Sequence, residues 1–396
     1  MKKLKDKLVS QSLFGNGFNL DLKEIPPSML LDYNITLIKI WKIVRDFELN
    51  FYSPKTKMLS IRFDGSIILN NLNDVTSKLK NSSCLNVYFK YFVNKLFVIS
   101  KYPDLVYLFN RASFVDSYEF LHIASFLKYI CPKPILKKLS RSKIAPLLVM
   151  NSYITILNTY LFKKKTQDWF IDKTLNLINQ NINLIKLQNL SGVWTNYYDK
   201  INLTKFITFP KQKLQKELDY RQKCIFKILN KQNSSQVLDI ASNKGLFSIL
   251  AARAGHNVLS VDNDIGAIDF LYNLKKKYSL KIIPSILDFN EFKSETFQKY
   301  RSPFVLALGF THHLYLVEKI SWEEISLKLS KLTETALITE FKINTAAIGS
   351  ENNISNKWAI SYKIEIFIKN LNKYFKDIHV INSKDKNVRK IILCYK

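Results

Sequence analysis

Cysteine is scarce in this sequence. The 396 residues include four cysteines, and no two of them have the spacing of metal ligands. A zinc site or a disulfide framework is therefore not expected, and buried thiols in a reducing compartment are the default. The four are Cys84, Cys131, Cys224 and Cys394.

Long apolar runs are absent as well. The longest apolar stretch, residues 146–162, is interrupted by Asn151, Asn158 and several hydroxyl side chains. It is too polar and slightly too short for a membrane-spanning helix. The basic residues 1–10 have no apolar segment behind them, so no signal peptide is expected. The prediction is a cytoplasmic protein without a membrane span.

Arginine is the third scarce residue. The net charge is +28, from 60 basic and 32 acidic residues, yet only eight of the 60 are arginine. A large positive charge favours nucleic-acid binding, but recognition of phosphates and bases favours the arginine fork. The charge is also dispersed, which mainly gives solubility and weak attraction to polyanions. A nucleic-acid partner is possible but not favoured.

The length and the apolar content, 47% of the residues, suffice for two domains with a large core. The predicted division is an N-terminal α+β domain over residues 1–185 and an α/β domain over residues 186–396. The sequence leaves the oligomeric state open.

Residues 236–264 have the pattern of a strand, a turn, a helix and a second, parallel strand. Small residues in the turn let a ligand approach the backbone, and the helix N-terminus offers free N–H groups. The first strand ends at Asp239 and the second at Asp262, 23 residues later. A carboxylate at that second position is placed to bind a ribose diol.

The turn in this unit has too few glycines for a dinucleotide. A dinucleotide site needs three, because the pyrophosphate lies against the backbone, and this turn contains only Gly245. Asp239 would repel a pyrophosphate but would accept the ammonium group of an amino acid. The pattern resembles motif I of the class I S-adenosylmethionine-dependent methyltransferases. An ordinary βαβ unit of another α/β protein is the alternative.

Later strands add further polar groups. Asp288 follows a short strand at 281–283 and is placed to accept from an adenine amino group, with Phe289 against the ring. His312 and His313 follow the fourth strand, residues 303–310, on a predicted loop. Ligands bind at the carboxyl ends of such strands, and a histidine there can take a proton from a hydroxyl or an amine. For one of the two histidines, the alternative to this role is packing in the core.

Periodicity and capping residues place the other elements of this domain. Predicted helices cover 210–231, 265–277, 321–331 and 359–375, and predicted strands cover 336–341, 378–381 and 388–395. Ser321 and Glu324 form a capping-box pattern. The sheet would then have seven strands with an antiparallel last hairpin. Three aromatic residues before the domain, Trp194, Tyr197 and Tyr198, form either a lid over a cofactor or interdomain packing.

The N-terminal half begins with a predicted helix over residues 28–47 and a hairpin within 57–70, around Asp64 and Gly65. Residues 79–100 then have the layout of a kinase-type catalytic segment, with Asn86 at the asparagine position. Asn81 and Ser100 stand at the two acidic positions, so neither Mg²⁺ nor a nucleophilic hydroxyl would be held. An inactive kinase-like domain and an unrelated hairpin both fit.

Several segments together resemble a specific family, the nodulation-protein-related class I methyltransferases with an N-terminal kinase-like segment. They are LDIASNKGLFS, VLSVDNDIGAIDFLY, LALGFTHHL, the ITEF strand, the helix of Tyr362 and Phe367, and Arg389. The likeness covers 190–396 well and 79–131 weakly. The chain departs from the family at Ala241, where the first glycine of the turn is expected, and at Lys244, where a threonine is expected.

The resemblance implies methyl transfer from S-adenosylmethionine to a small-molecule, saccharide or secondary-metabolite acceptor. A tRNA or rRNA methyltransferase and a non-catalytic scaffold are the alternatives. The cofactor would be bound by its methionine part at the turn, its ribose at Asp262 and its adenine at Asp288. Either His312 or His313 would be the base, and no metal is expected. The predicted cofactor-binding residues are Asp239, Ala241, Asn243, Gly245, Asp262, Asn263, Asp288, Phe289 and Leu308.

Overall fold

The computed structural model describes residues 2–12, 15–21, 23–46, 59–70, 190, 192, 194–343, 356–382 and 389–396. The chain divides into two compact units, Met1–Ser191 and Gly192–Lys396. The domain limits expected from the sequence, 1–185 and 186–396, stay predictions. The kinase-like segment, residues 79–100, lies outside the described residues.

The described part of the first unit contains two helices and a small hairpin. The helices are α1 (Lys2–Ser10) and α2 (Pro27–Asp46), and the strands are β1 (Leu59–Ile61) and β2 (Ile67–Leu69). The strands pair antiparallel, and Ser66 donates its backbone N–H to the Asp64 carboxylate at 2.7 Å in the turn. The predicted helix and hairpin are confirmed.

The second unit is built around one seven-stranded sheet. Its strands are β3 (Gln236–Ile240), β4 (Asn257–Asp262), β5 (Ile282–Ile286), β6 (Ser302–Ala307), β7 (Thr333–Lys342), β8 (Asp377–Asn382) and β9 (Arg389–Tyr395). Their spatial order is β5-β4-β3-β6-β7-β9-β8. β3 to β7 are parallel, and β9 is antiparallel to both β7 and β8. This confirms the predicted Rossmann-like class I methyltransferase sheet with its antiparallel last hairpin.

Helices cover the sheet. They are α3 (Leu203–Thr208), α4 (Lys211–Glu217), α5 (Tyr220–Asn230), α6 (Leu246–Arg253), α7 (Ile265–Tyr278), α8 (Ser294–Tyr300), α9 (Thr311–Leu316), α10 (Trp322–Leu332), α11 (Asn356–Ser361) and α12 (Ile364–Leu371). Short 3-10 turns occur at Thr195–Tyr198 and Phe289–Glu291. The central strands are buried on both faces, which explains their continuous apolar runs.

Three predicted elements differ from the structure. The helix expected over 210–231 is two helices, because Asp219 adopts an extended conformation and forms a capping box with Gln222 that starts α5. The helix over 359–375 is also divided, since Lys363 is extended between α11 and α12. The two histidines are in the helix α9 rather than on a loop.

The capping box predicted at α10 is half formed. Ser321 accepts the Glu324 N–H at 3.2 Å, while the Glu324 carboxylate pairs with Lys328 at 3.0 Å. Among the described residues, no helix is long and apolar enough to cross a membrane.

Candidate functional site

A cavity of about 560 Å³ opens at the carboxyl edge of the sheet, a volume typical of small-ligand sites. Its walls come from the residues that follow β3, β4, β5 and β6, from the end of β7 and from the first residue of β9. This edge combines the tips of the parallel strands with the start of an antiparallel one. Side chains far apart in sequence therefore meet there.

The turn after β3 has an unusual backbone. Ala241, Asn243 and Gly245 all have positive φ angles, of 54°, 49° and 79°. Ser242 between them donates its N–H to the carbonyl of Val261 in β4 at 3.1 Å. Ala241 and Asn243 line the cavity. The alanine that stands at the family's glycine position therefore keeps the left-handed conformation that glycine adopts most easily.

Asp262 lies at the tip of β4 and lines the cavity. Its two carboxylate oxygens accept the backbone N–H groups of Asn243 at 2.7 Å and Asp264 at 2.8 Å. Burial raises the pKa of Asp262 to about 6, and these N–H bonds oppose the rise. The backbone N–H of Asn263 also lowers the pKa, and an ionised carboxylate has about four acceptor sites in all. The carboxylate is thus held in one orientation and can still accept from a ligand.

The residues predicted for adenine form the next wall. Asp288 and Phe289 line the cavity after β5, together with Asn263 and Leu308. The Asn263 side chain donates to Asp288 at 3.1 Å. The Phe289 ring meets Phe310 edge to face, with centroids 5.3 Å apart. An aromatic wall beside an oriented acceptor suits a purine ring with an exocyclic amine.

Asp239 and Gly245 are not among the described residues that line the cavity. The Asp239 carboxylate is buried under the turn and accepts the Ser248 hydroxyl at 2.5 Å. Burial raises its pKa to about 7, against the lowering effect of Ser248. Gly245 packs against Leu271 of α7. Both residues support the turn, so their predicted contact with the cofactor stays a prediction.

The segment Thr195–Tyr198 covers one side of the cavity. Trp194 and Thr195 donate to the Asp264 carboxylate at 2.8 and 2.5 Å, and the Trp194 carbonyl accepts the Asn243 side chain at 2.7 Å. Trp194, Tyr197 and Tyr198 all line the cavity. A role as a lid over a cofactor, one of the two left open by the sequence, stays a prediction.

His312 and His313 line the cavity beyond β6. Their ring centroids are 4.3 Å apart, and Trp194 meets His313 edge on at 5.2 Å. Burial lowers the pKa of His312 to about 2, and the cations Lys342 and Arg389 add to the effect. The same causes lower the pKa of His313. Both imidazoles are therefore neutral at pH 7.

A cluster that sequence reasoning did not assign lies next to the histidines. Arg221 makes a bidentate pair with Glu340, with both distances 2.8 Å, and Arg389 contacts the same carboxylate. Lys342 lies beside Arg389 in the β7–β9 ladder. The three cations line the cavity, and Glu340 lies behind them. Two features of the sequence could have indicated this cluster: arginine is rare in the chain, and Glu340 and Arg389 stand at the ends of predicted strands.

Among the described residues, no group of three or more His, Cys, Asp or Glu side chains could hold a metal ion. Of the cysteines, the described Cys224 and Cys394 are free thiols; Cys394 is buried, and burial raises its pKa to about 12.

No protein family matches this chain, and no curated protein matches it in sequence. Among solved structures, the chain is similar to magnesium protoporphyrin IX methyltransferase (ChlM) from Synechocystis PCC 6803, crystallised with bound SAH. The identity is 14% over 52% of this chain and 98% of that chain, with a TM-score of 0.34.

Two further solved structures are similar. Monomeric WbdD has 16% identity over 47% of this chain and 44% of its own, with a TM-score of 0.33. EvdMO1 has 14% identity over 44% of this chain and 40% of its own, also with a TM-score of 0.33. The chain thus spans less than half of both proteins. Likeness at this level assigns neither an activity nor an acceptor, and membership of the nodulation-protein-related family stays a prediction.

Proposed function

We propose that the second unit is an enzyme that transfers a methyl group from S-adenosylmethionine to a small molecule, such as a saccharide or a secondary metabolite. One observation carries the proposal. The oriented Asp262 carboxylate, the Asp288–Phe289 wall and the histidine pair line one cavity at the carboxyl edge of a class I methyltransferase sheet. The cytoplasmic location expected from the sequence is part of the same proposal.

The residues present fit the cofactor. Asp262 can accept both hydroxyls of a ribose, and Asp288 can accept from the adenine amine while Phe289 packs against the ring. Glu318 also lines this part of the cavity, where the Asn290 side chain donates to it at 2.5 Å. Three carboxylates would repel a pyrophosphate but tolerate a ligand that carries a sulfonium cation. This favours S-adenosylmethionine over a dinucleotide.

When bound, the cofactor supplies an electrophilic methyl group. The protein's main contribution is then to hold the acceptor in line with that group and to exclude water. Trp194 and Tyr198 would restrict solvent, and His313 would take the proton. The acceptor's O–H or N–H bond would break as its bond to the methyl carbon forms, and the proton would pass to a ring nitrogen of His313. The methyl–sulfur bond would break in the same step, with S-adenosylhomocysteine as the leaving group. Burial lowers the pKa of His312 to about 2, which favours His313 as the base. The two rings are in contact, with centroids 4.3 Å apart.

The test is a calorimetric titration of the full chain with S-adenosylmethionine and with S-adenosylhomocysteine. Asp262→Ala should weaken binding of both at least about 10-fold, because charge-assisted hydrogen bonds of about 1.5–3 kcal/mol are lost. Asp377→Ala, at an exposed aspartate outside the cavity, is the matched control and should bind as the parent does. Absence of binding to either ligand by folded parent protein would contradict the proposal.

The two alternatives make different predictions. A tRNA or rRNA methyltransferase should bind RNA with a steep salt dependence. A non-catalytic scaffold should bind the cofactor and release no S-adenosylhomocysteine with any acceptor.

Replacing both histidines with alanine should reduce turnover by about 100-fold or more if either is the base.

A further inference from the structure

The charges that line the cavity are separated by sign. The carboxylate of Asp262 ends β4 and that of Asp288 follows β5. Lys342 ends β7 and Arg389 begins β9. β4 and β7 are three strand spacings apart, which is roughly 14 Å. The histidines follow β6, on the side of the cations. The acidic end suits the cofactor, so the cationic end is left for the acceptor.

The cationic end has more positive charge than its own carboxylate can balance. Arg221, Lys342 and Arg389 line the cavity, and Glu340, only 1% exposed, is the carboxylate that pairs with the two arginines. The arginine side chains are themselves only 23% and 18% exposed. An excess of partly desolvated cations is unfavourable unless an anion compensates it.

Two of these cations have unused donors. Within the described part of the chain, the Lys342 ammonium takes part in no hydrogen bond or ion pair, and the contacts of the Arg389 guanidinium involve Nη1 alone. Gly309 places no side chain between the cavity and this cluster. A Cβ there would be in ordinary contact with Glu340, Arg221 and Arg389, at 3.6, 3.7 and 3.8 Å. Arg221, Lys342 and Arg389 all line the cavity, so a ligand bound in it can reach them.

We propose that the methyl acceptor is a small molecule with a carboxylate or phosphate group, which Lys342 and Arg389 bind. This inference rests on the proposed function, because it concerns the second substrate of the same site. Arginine forks and lysine ammonium groups are the donors that proteins use for such anions. The bound anion would also offset the field that Lys342 and Arg389 exert on the histidines. His313 would then become a better base when the acceptor is present.

The test uses the full chain and four probes: sodium phosphate, sodium acetate, S-adenosylhomocysteine and a 12-nucleotide RNA. Thermal unfolding is measured against added phosphate or acetate, with chloride keeping the ionic strength constant. At least one of the two anions should raise the unfolding temperature of the parent protein. The anion that does so indicates whether the acceptor carries a phosphate or a carboxylate group. Lys342→Met should weaken the anion response about 10-fold, since a charge-assisted contact is lost. Lys342→Arg should retain it.

Lys376→Met is the matched control, because Lys376 is exposed and outside the cavity, and it should respond as the parent does. An equal anion response in the parent and in Lys342→Met would overturn the inference. If S-adenosylhomocysteine binds and neither anion does, the inference fails while the proposed function stands. If the anion binds and S-adenosylhomocysteine does not, the proposed function fails. Binding of a 12-nucleotide RNA that is tighter than that of phosphate and is lost in Lys342→Met would overturn the small-molecule acceptor.

Discussion

Replacement of Ala241 by glycine should stabilise the protein. Ala241 has a φ of 54°, in the left-handed region, where an L-residue with a Cβ is disfavoured by about 1–2 kcal/mol. Glycine removes this cost but makes the unfolded chain more flexible, which costs about 0.4–1 kcal/mol. The expected net gain in the free energy of unfolding is about 0.5–1 kcal/mol, which corresponds to a rise in Tm of up to about 4 °C.

The matched control is Ala252→Gly. Ala252 lies in α6, where glycine is less favourable than alanine by about 1 kcal/mol. The same chemical change should thus have opposite signs at the two positions, measured by scanning calorimetry and by urea denaturation with an unchanged m-value. Equal destabilisation by both variants would refute the left-handed conformation of Ala241.

The same position tests whether the alanine limits cofactor binding. Because Ala241 lines the cavity, Ala241→Gly should bind S-adenosylhomocysteine as tightly as the parent or more tightly. Ala241→Val should be less stable than the parent, because a β-branched residue at positive φ is strongly disfavoured. Its larger side chain should also weaken binding. Weaker binding by the glycine variant than by the valine variant would contradict this account.

Two further predictions concern residues that support the turn. The pKa of Asp239 is about 7 in the folded protein, above its unfolded value, so its contribution to stability is present below about pH 4 and is lost as the pH rises through 7. Asp239→Asn cannot ionise, so it should avoid a loss of a few kcal/mol in the free energy of unfolding at high pH. In urea denaturation the variant should be more stable than the parent at pH 8 and about as stable as the parent at pH 4. The same difference in stability at both pH values would contradict a raised pKa for Asp239. Gly245→Ala should destabilise by about 3 kcal/mol or more, because its Cβ would lie 2.6 Å from the Leu271 side chain at a φ of 79°. Gly255→Ala, with a φ of 103° and no atom within 4 Å of the added Cβ, should cost less; equal losses in thermal unfolding would exclude the clash.

The seven-stranded sheet was predictable from local sequence patterns. The ends of β3 and β4 were predicted to within one residue, because a buried parallel strand is a continuous apolar run. Asp262 and Asp288 were predicted from the ends of such strands, which can be located in the sequence. The structure has both residues in the wall of the cavity, and their contacts with a ligand stay predictions.

Errors arose where one residue changed the backbone course within a helical pattern. The periodicity from 210 to 231 does not reveal that Asp219 becomes extended and caps a new helix. Likewise, the pattern that follows β6 reads as a loop, while Gly309, with a φ of 81°, turns the chain so that Thr311 begins α9. The starts of α5 and α9 both depend on hydrogen bonds that form only after the backbone has adopted the local conformation.

The sequence by itself determined the order of the elements, the βαβ unit and the acids at the tips of β4 and β5, because these depend on residues near one another in the chain. Only the tertiary structure decided which charges share the cavity. Arg221 precedes the sheet, Glu340 ends β7 and Arg389 begins β9, and they meet because the antiparallel β9 starts at the edge where β7 ends. The buried position of Asp239 and the lowered pKa values of the histidines have the same origin. Desolvation and the field of distant residues depend on packing, which no local pattern records.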